Sequence, residues 1–158
     1  ICHQVNCQGK MNSGIAKSIR EKWPIVYENY MAKYNEAQRI AVEDYGCYEN
    51  DPDAADLLLG TIQFVPLYEN YNTSIKHNQV INMFCQYGYG YDGKRYTSYD
   101  AFWNALNLIQ GSIDLGSTIA FPKNIGCCRG GANWAVISNM IEVVLGKDYE
   151  VFIYSLED

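Results

Sequence analysis

Two glycine-rich stretches of this chain combine residue types that can hold an anion. The first is Asn6-Cys7-Gln8-Gly9-Lys10-Met11-Asn12-Ser13-Gly14, and the second is Gly126-Cys127-Cys128-Arg129-Gly130-Gly131-Ala132-Asn133. Each follows a short apolar run, and each precedes apolar residues at helical spacing: Ile15, Ile19 and Trp23 after the first, Trp134, Ile137, Ile141 and Val144 after the second. A glycine-rich turn between strand and helix lets the backbone approach a ligand, and the first helical turn presents N–H groups that have no intrahelical partner. Two such turns at one edge of a sheet would wrap a phosphate or diphosphate with main-chain donors. Either stretch alone would serve equally well as a tight turn and helix cap. Neither ends in Gly-Lys-Ser/Thr, and neither carries GxGxxG with an acidic residue about 20 positions on, so the P-loop and Rossmann fingerprints are both absent.

Few groups near these turns can move protons. His3 lies in the first apolar run, close before Asn6. An imidazole there is a candidate general acid or base, and the competing reading is a core histidine hydrogen-bonded to its neighbours. Asn6 and Asn133 do not transfer protons readily, but either can orient a water or a hydroxyl. Gln86 ends the longest apolar run and Gln4 lies in the first, so both are candidates to line the same cleft. Tyr87, Tyr89 and Tyr91 alternate with glycines in a loop that would form a lid, stack on a base or pack on a neighbouring helix. Cys127 and Cys128 lie near a helix N-terminus, which lowers a thiol pKa. With no histidine evident nearby, packing is the preferred role for both.

Positioning these residues takes strands and helices in alternation. Residues 1–7 read as a strand. Ser13 reads as an N-cap, with a helix running to Trp23, and Pro24 opens a second helix whose apolar face is Tyr27, Tyr30, Met31 and Tyr34. Residues 43–56 read as a polar surface loop, 60–65 as an alternating strand before Pro66, and 68–76 as polar and turn-like. Residues 79–86 are nearly continuous apolar, the pattern of a strand covered on both faces. Phe102, Leu106 and Ile109 mark a helix that stops at Gly111. Residues 117–121 read as a buried strand ended by Pro122, and the helix after the second turn closes at Gly146 before a final strand over 149–154. This order predicts an α/β fold with a mixed, largely parallel sheet and helices on both sides.

Composition narrows the partners. The 158 residues suit one domain, and 48% hydrophobic against 19% charged residues argues against disorder. A formal net charge of −6 argues against a broad electrostatic grip on nucleic acid or anionic lipid. No apolar run is long enough for a membrane span. Cysteines at 2, 7, 47, 85, 127 and 128 lack paired CxxC spacing, and only His3 and His77 could supplement them. The expectation is reduced thiols in a cytoplasmic protein, with no metal site.

The stretches Cys2-His3-Gln4-Val5-Asn6-Cys7-Gln8-Gly9-Lys10-Met11-Asn12-Ser13-Gly14-Ile15-Ala16 and Ile125-Gly126-Cys127-Cys128-Arg129-Gly130-Gly131-Ala132-Asn133-Trp134 together resemble the macro domain family. Within it they are similar to the branch of the terminal ADP-ribose glycohydrolase, the ADP-ribose-1″-phosphate phosphatase and the antitoxins that remove ADP-ribose from DNA. The resemblance implies a single domain over 1–158, a three-layer α/β/α sandwich, and ADP-ribose or an ADP-ribosylated macromolecule as ligand. It also implies a monomer, no cofactor, a phage or bacterial origin, and either hydrolysis of an ADP-ribose derivative or binding without turnover. By that likeness Asn6, Gly9, Met11, Asn12, Ser13, Gly14 and Ile15 hold the distal ribose and part of the diphosphate. Gly126, Cys127, Cys128, Arg129, Gly130, Gly131 and Ala132 cradle the diphosphate and distal ribose, and Tyr154 flanks the adenine or its ribose. The phosphatase relative has a histidine in a stretch similar to that of His3. The glycohydrolase branch has an acidic residue where this chain has Gly130, and a lysine near the positions of Tyr87–Gly90, with Lys94 and Arg95 a few residues on. The chain opens at Ile1 inside a strand, and the resemblance implies that an earlier strand and a Gly-Asp turn contacting the adenine would precede it.

Overall fold

The computed structural model describes residues 1–46, 52–67 and 78–155, with the backbone alone at 52 and 53. Cys47, His77, the middle of the polar stretch at 47–51 and the turn-like stretch at 68–76 lie outside the described residues. Strand β1 (Cys2–Asn6) leads through the first glycine-rich loop into α1 (Gly14–Lys22) and α2 (Pro24–Tyr45), and β2 (Ile62–Pro66) and β3 (Gln79–Gln86) follow. Helix α3 (Tyr99–Gln110), β4 (Thr118–Pro122), α4 (Trp134–Leu145) and β5 (Glu150–Tyr154) complete the order.

β3 pairs parallel with β1 and antiparallel with β2, and β4 pairs parallel with β5. Among the described residues two of the three strand pairings are therefore parallel, in the mixed arrangement the sequence implies. The expected single sheet comes in two pieces, β1-β3-β2 and β4-β5, and β4 runs beside β1 without a hydrogen-bonded ladder between them.

Alternation along β3 divides the core. Ile81, Met83 and Cys85, with Cys2 of β1, face Phe102, Leu106 and Ile109 of α3 and Ile137 and Ile141 of α4. Val80 and Phe84, with Val5 and Val65, face Ile19 of α1 and Val26, Tyr30 and Ala37 of α2. The Tyr30 and Phe84 rings stack with centroids 5.6 Å apart. These two apolar layers on opposite faces of one sheet make the chain a three-layer sandwich. Among the described residues, no helix is long and apolar enough to cross a membrane.

One expectation is corrected here. The polar stretch from residue 43 does not begin as a loop, because α2 continues through Glu43, Asp44 and Tyr45 and stops at Gly46, where φ is 68°. Arg39 reaches both Glu36 and Glu43 one turn away on the solvent side, which suits a helix. Pro52–Ala55 forms a short turn of 3-10 helix, and Ala54 and Ala55 are buried. Polar composition marked the exposed face of this segment and concealed the two alanines that anchor it.

A buried polar row crosses the sheet on its α2 face. His3 Nε2 lies 2.5 Å from Asn82 Oδ1, Asn82 Nδ2 donates to Gln63 Oε1 at 2.9 Å, and Gln63 Nε2 donates to the Asn29 carbonyl at 2.9 Å. Since the Asn82 amide already donates to Gln63, His3 must carry its proton on Nε2. Its Nδ1 is buried with no hydrogen-bond partner. Burial lowers the imidazole pKa from 6.5 to about 4, so the folded protein keeps His3 neutral. The unfolded chain then takes up the proton first as pH falls. The stability this group contributes is fully present above about pH 6.5 and is lost towards pH 4. Wild-type urea stability should therefore drop by roughly 2 kcal/mol more between pH 7 and pH 5 than that of His3→Gln; equal slopes in the two proteins would contradict the neutral, buried assignment.

Candidate functional site

A cleft of about 300 Å³ opens at the C-terminal ends of β1, β3 and β4. Its floor holds Gln4, Val5 and Asn6 of β1 and Gln86 of β3, and one wall is Met11, Asn12, Ser13, Gly14, Ile15 and Ala16. The other wall is Pro122 to Gly126 with Cys128, Arg129 and Gly130, and Tyr89 and Tyr91 form the rim. This is the edge of an α/β sheet where strand ends and helix N-termini meet.

The first loop is built around Asn6. Its Oδ1 accepts from the backbone N–H of Gln8 at 2.9 Å and from that of Lys10 at 3.3 Å, and its Nδ2 donates to the Lys10 carbonyl at 2.6 Å. Tyr30 locks the arrangement from α2, donating to Asn6 and accepting from the Lys10 N–H at 2.9 Å. Asn6 lines the cleft, but its amide is occupied in ordering the loop. Gly9 turns beneath the Tyr34 ring, outside the cleft, and Met11 is buried. Asn12 Oδ1 accepts from Arg20 at 2.7 Å.

The second loop is pressed onto the sheet. A Cβ at Gly126 would come within 2.7 Å of Gln4 Oε1, and one at Gly130 within 2.5 Å of the Gly126 carbonyl and closer still to Thr97 Oγ1. Only glycine permits this approach at either position. Thr97 fastens it. The hydroxyl donates to the Gly126 carbonyl at 3.0 Å and accepts from Gln4 Nε2 at 2.8 Å, while the Thr97 N–H bonds the Gly130 carbonyl at 2.8 Å. Gln4 Nε2 also reaches Gln86 Oε1 at 2.6 Å, which leaves Gln4 Oε1 buried and without a hydrogen-bond partner. Asn124 is the one non-glycine residue with positive φ, 61°, among the described residues, and it lines the cleft.

Several expected site residues lie elsewhere. His3 is fully buried on the α2 face of the sheet and does not line the cleft. Gly131 packs against the Lys94–Arg95 backbone, and Ala132 closes the loop by donating to the Gly126 carbonyl at 3.0 Å. Asn133 caps α4 through the Ala135 N–H. Tyr154 is half-buried at the end of β5, its carbonyl accepting from the N–H of Lys123 at 2.7 Å. Cys127 also lies off the cleft. Burial pushes its thiol pKa up, against the expected lowering, and its Sγ bonds the Ile125 carbonyl. Lys94 pairs with Asp92, and Arg95 lies over the Tyr99 ring, so neither enters the cleft.

Lys10, Lys123, Asn124 and Thr97 were not singled out from the sequence. Lys123 and Asn124 directly follow Pro122 at a strand end, a position that could have marked them. Thr97 has no such signal. The ionic character of the cleft is one-sided: Lys10, Lys123 and Arg129 line it, and no carboxylate does among the described residues. In a chain of net charge −6 this is a local positive field. A wider groove of about 890 Å³, bordered by Ile1, Trp23, Phe64, Leu67 and Asn78, has Asp114 as its one charged side chain among the described residues.

No family model matches the chain, and no curated protein does. Solved structures do. A Bacteroides thetaiotaomicron protein of unknown function is 23% identical with a TM-score of 0.68, over 98% of this chain and 85% of that one. The macrodomain of Thermus aquaticus DarG is 17% identical with a TM-score of 0.65, over 99% of this chain and 87% of that one. Thermosipho africanus DarTG, solved in complex with ADP-ribose, is 16% identical with a TM-score of 0.64, over 98% of this chain and 37% of that one. At these identities the likeness is one of architecture: this chain has the α/β fold of a macro domain.

Proposed function

We propose that the cleft binds ADP-ribose, free or attached to a macromolecule, with its diphosphate between the two glycine-rich loops. The observation that carries this reading is a cleft at the strand ends with cationic side chains and, among the described residues, no carboxylate. A diphosphate complements such a field, and the N–H groups of Gly14, Ile15 and Ala16 at the start of α1 add unpaired donors. The cleft's volume lies at the lower end of the range for small-molecule sites. Tyr89 and Tyr91 offer aromatic faces at the rim for the ring systems of the ligand or of what it is attached to. The ADP-ribose complex of the DarTG neighbour supports the choice of ligand.

Hydrolysis of an ADP-ribose derivative is a second reading, favoured by Gln4. Its Oε1 is a buried acceptor without a partner beneath Gly126 at the cleft floor, and a small shift of the second loop would present it to a water or a ribose hydroxyl. Neither an imidazole nor a carboxylate lines the cleft among the described residues, so water activation in this scheme falls to the ligand's own phosphate.

Calorimetric titration with ADP-ribose should give one site per chain, with AMP, which lacks the diphosphate, binding more weakly; no heat at millimolar ADP-ribose contradicts the binding reading. The enzymatic reading is checked by release of phosphate from ADP-ribose-1″-phosphate, or of ADP-ribose from modified protein or DNA. Gln4→Ala should then lower turnover at least about ten-fold by losing water orientation. His3→Ala, compared at equal folded fraction, should retain it. The reverse order would return the proton-transfer role to His3.

A further inference from the structure

Arg129 spans the cleft. Its Nη1 donates to the Ser13 hydroxyl, so one side chain ties the second loop to the first. Its guanidinium lies 4.3 Å from the Tyr89 ring centroid and 5.5 Å from that of Tyr91, and its backbone carbonyl accepts from the Gly90 N–H at 3.0 Å. The tyrosine loop, the second loop and α1 thus meet at this one residue.

The arrangement is incomplete on both sides. Ser13 has the extended backbone of an N-cap, at φ −153° and ψ 161°, yet its hydroxyl makes no cap hydrogen bond, and the first turn of α1 holds no acidic residue. A serine at this position ordinarily accepts from the second or third helical N–H. Arg129, for its part, forms no ion pair among the described residues, and its Nε is buried with no partner. A half-buried guanidinium whose polar side-chain partner is a neutral hydroxyl is bound less strongly than one facing an anion.

We infer that Arg129 is an exchangeable strap. In the free protein it is held across the cleft by Ser13. When an anionic ligand enters, the guanidinium passes from the hydroxyl to the ligand's phosphate oxygens, and the released Ser13 hydroxyl caps α1 at one N–H of its first turn, leaving the others to the ligand. The exchange couples ligand binding to stiffening of the α1 N-terminus, and it makes Arg129 a determinant of affinity and Ser13 a brake on entry. The inference rests on the reading of the cleft as an ADP-ribose site, and it extends that reading from what binds to how the cleft opens.

Amide hydrogen exchange of the free protein tests the strap without any ligand. Arg129→Ala should slow exchange at Ile15 and Ala16 several-fold, because Ser13 regains its cap. Unchanged or faster exchange there overturns the proposal, since a purely structural bridge loosens when it is cut. Stopped-flow and equilibrium binding with ADP-ribose add a second arm. Ser13→Ala should associate several-fold faster than the wild type, whereas Arg129→Ala should bind roughly ten- to a hundred-fold more weakly. Equal weakening by both substitutions overturns the strap while leaving ADP-ribose binding intact. If the wild-type protein does not bind ADP-ribose, the ligand reading falls, and the exchange arm still decides the strap.

Discussion

The approach of the second glycine-rich loop to the sheet governs the geometry of the cleft. Gly126 and Gly130 lie where any side chain would collide with Gln4 or Thr97, and the Thr97 hydroxyl fills the space between them, bonded to Gln4 on one side and the Gly126 carbonyl on the other. Once this contact forms, the loop wall, the floor glutamines and the start of α3, capped by Ser98 next to Thr97, are set relative to one another. The first loop has its own pin in the Tyr30 hydroxyl, which joins α2 to Asn6 and Lys10. Two independent fasteners therefore hold opposite walls of one cleft. The element that bridges the walls directly is a side chain, Arg129, which can move without disturbing either fastener.

Electrostatics follow from where the charges are absent. The chain is acidic as a whole, yet acidic residues such as Glu36 and Glu43 on α2 and Asp92 beyond the rim lie away from the cleft. The cleft keeps Lys10, Lys123 and Arg129. Backbone N–H groups and three cations suffice for a compact anion, whereas a polyanion would meet the repulsive remainder of the surface. The same separation explains how a net charge that argues against a broad nucleic-acid grip still leaves room for a phosphate site.

Much of the fold was legible because each element is locally consistent. The apolar run of β3 reads as a strand covered on both faces and is one, and Pro24 opens α2 by the chemistry of helix starts. The end of α2 was misread because its exposed face is charged and its buried anchors are small alanines. The loops were legible as glycine-rich turns at strand ends, but the role of each residue in them was not. A strand residue's spacing does not say which face of the sheet it meets, so His3 and Gln4, adjacent in sequence, could not be separated into core and cleft. Thr97 depends on contacts 29 and 93 residues away, with Gly126 and Gln4, which no local pattern encodes.

The proposed seat of a diphosphate ligand between the two glycine-rich loops has a direct test. The most direct measurement is amide chemical-shift mapping of the isotope-labelled protein during titration with ADP-ribose. The largest changes should fall on Gly14, Ile15 and Ala16 and on Gly126 to Gly130, with Asn82 and Gln63 on the α2 face of the sheet unmoved. Changes centred on the wider groove near Trp23 and Phe64, or none at saturating ligand, would contradict it.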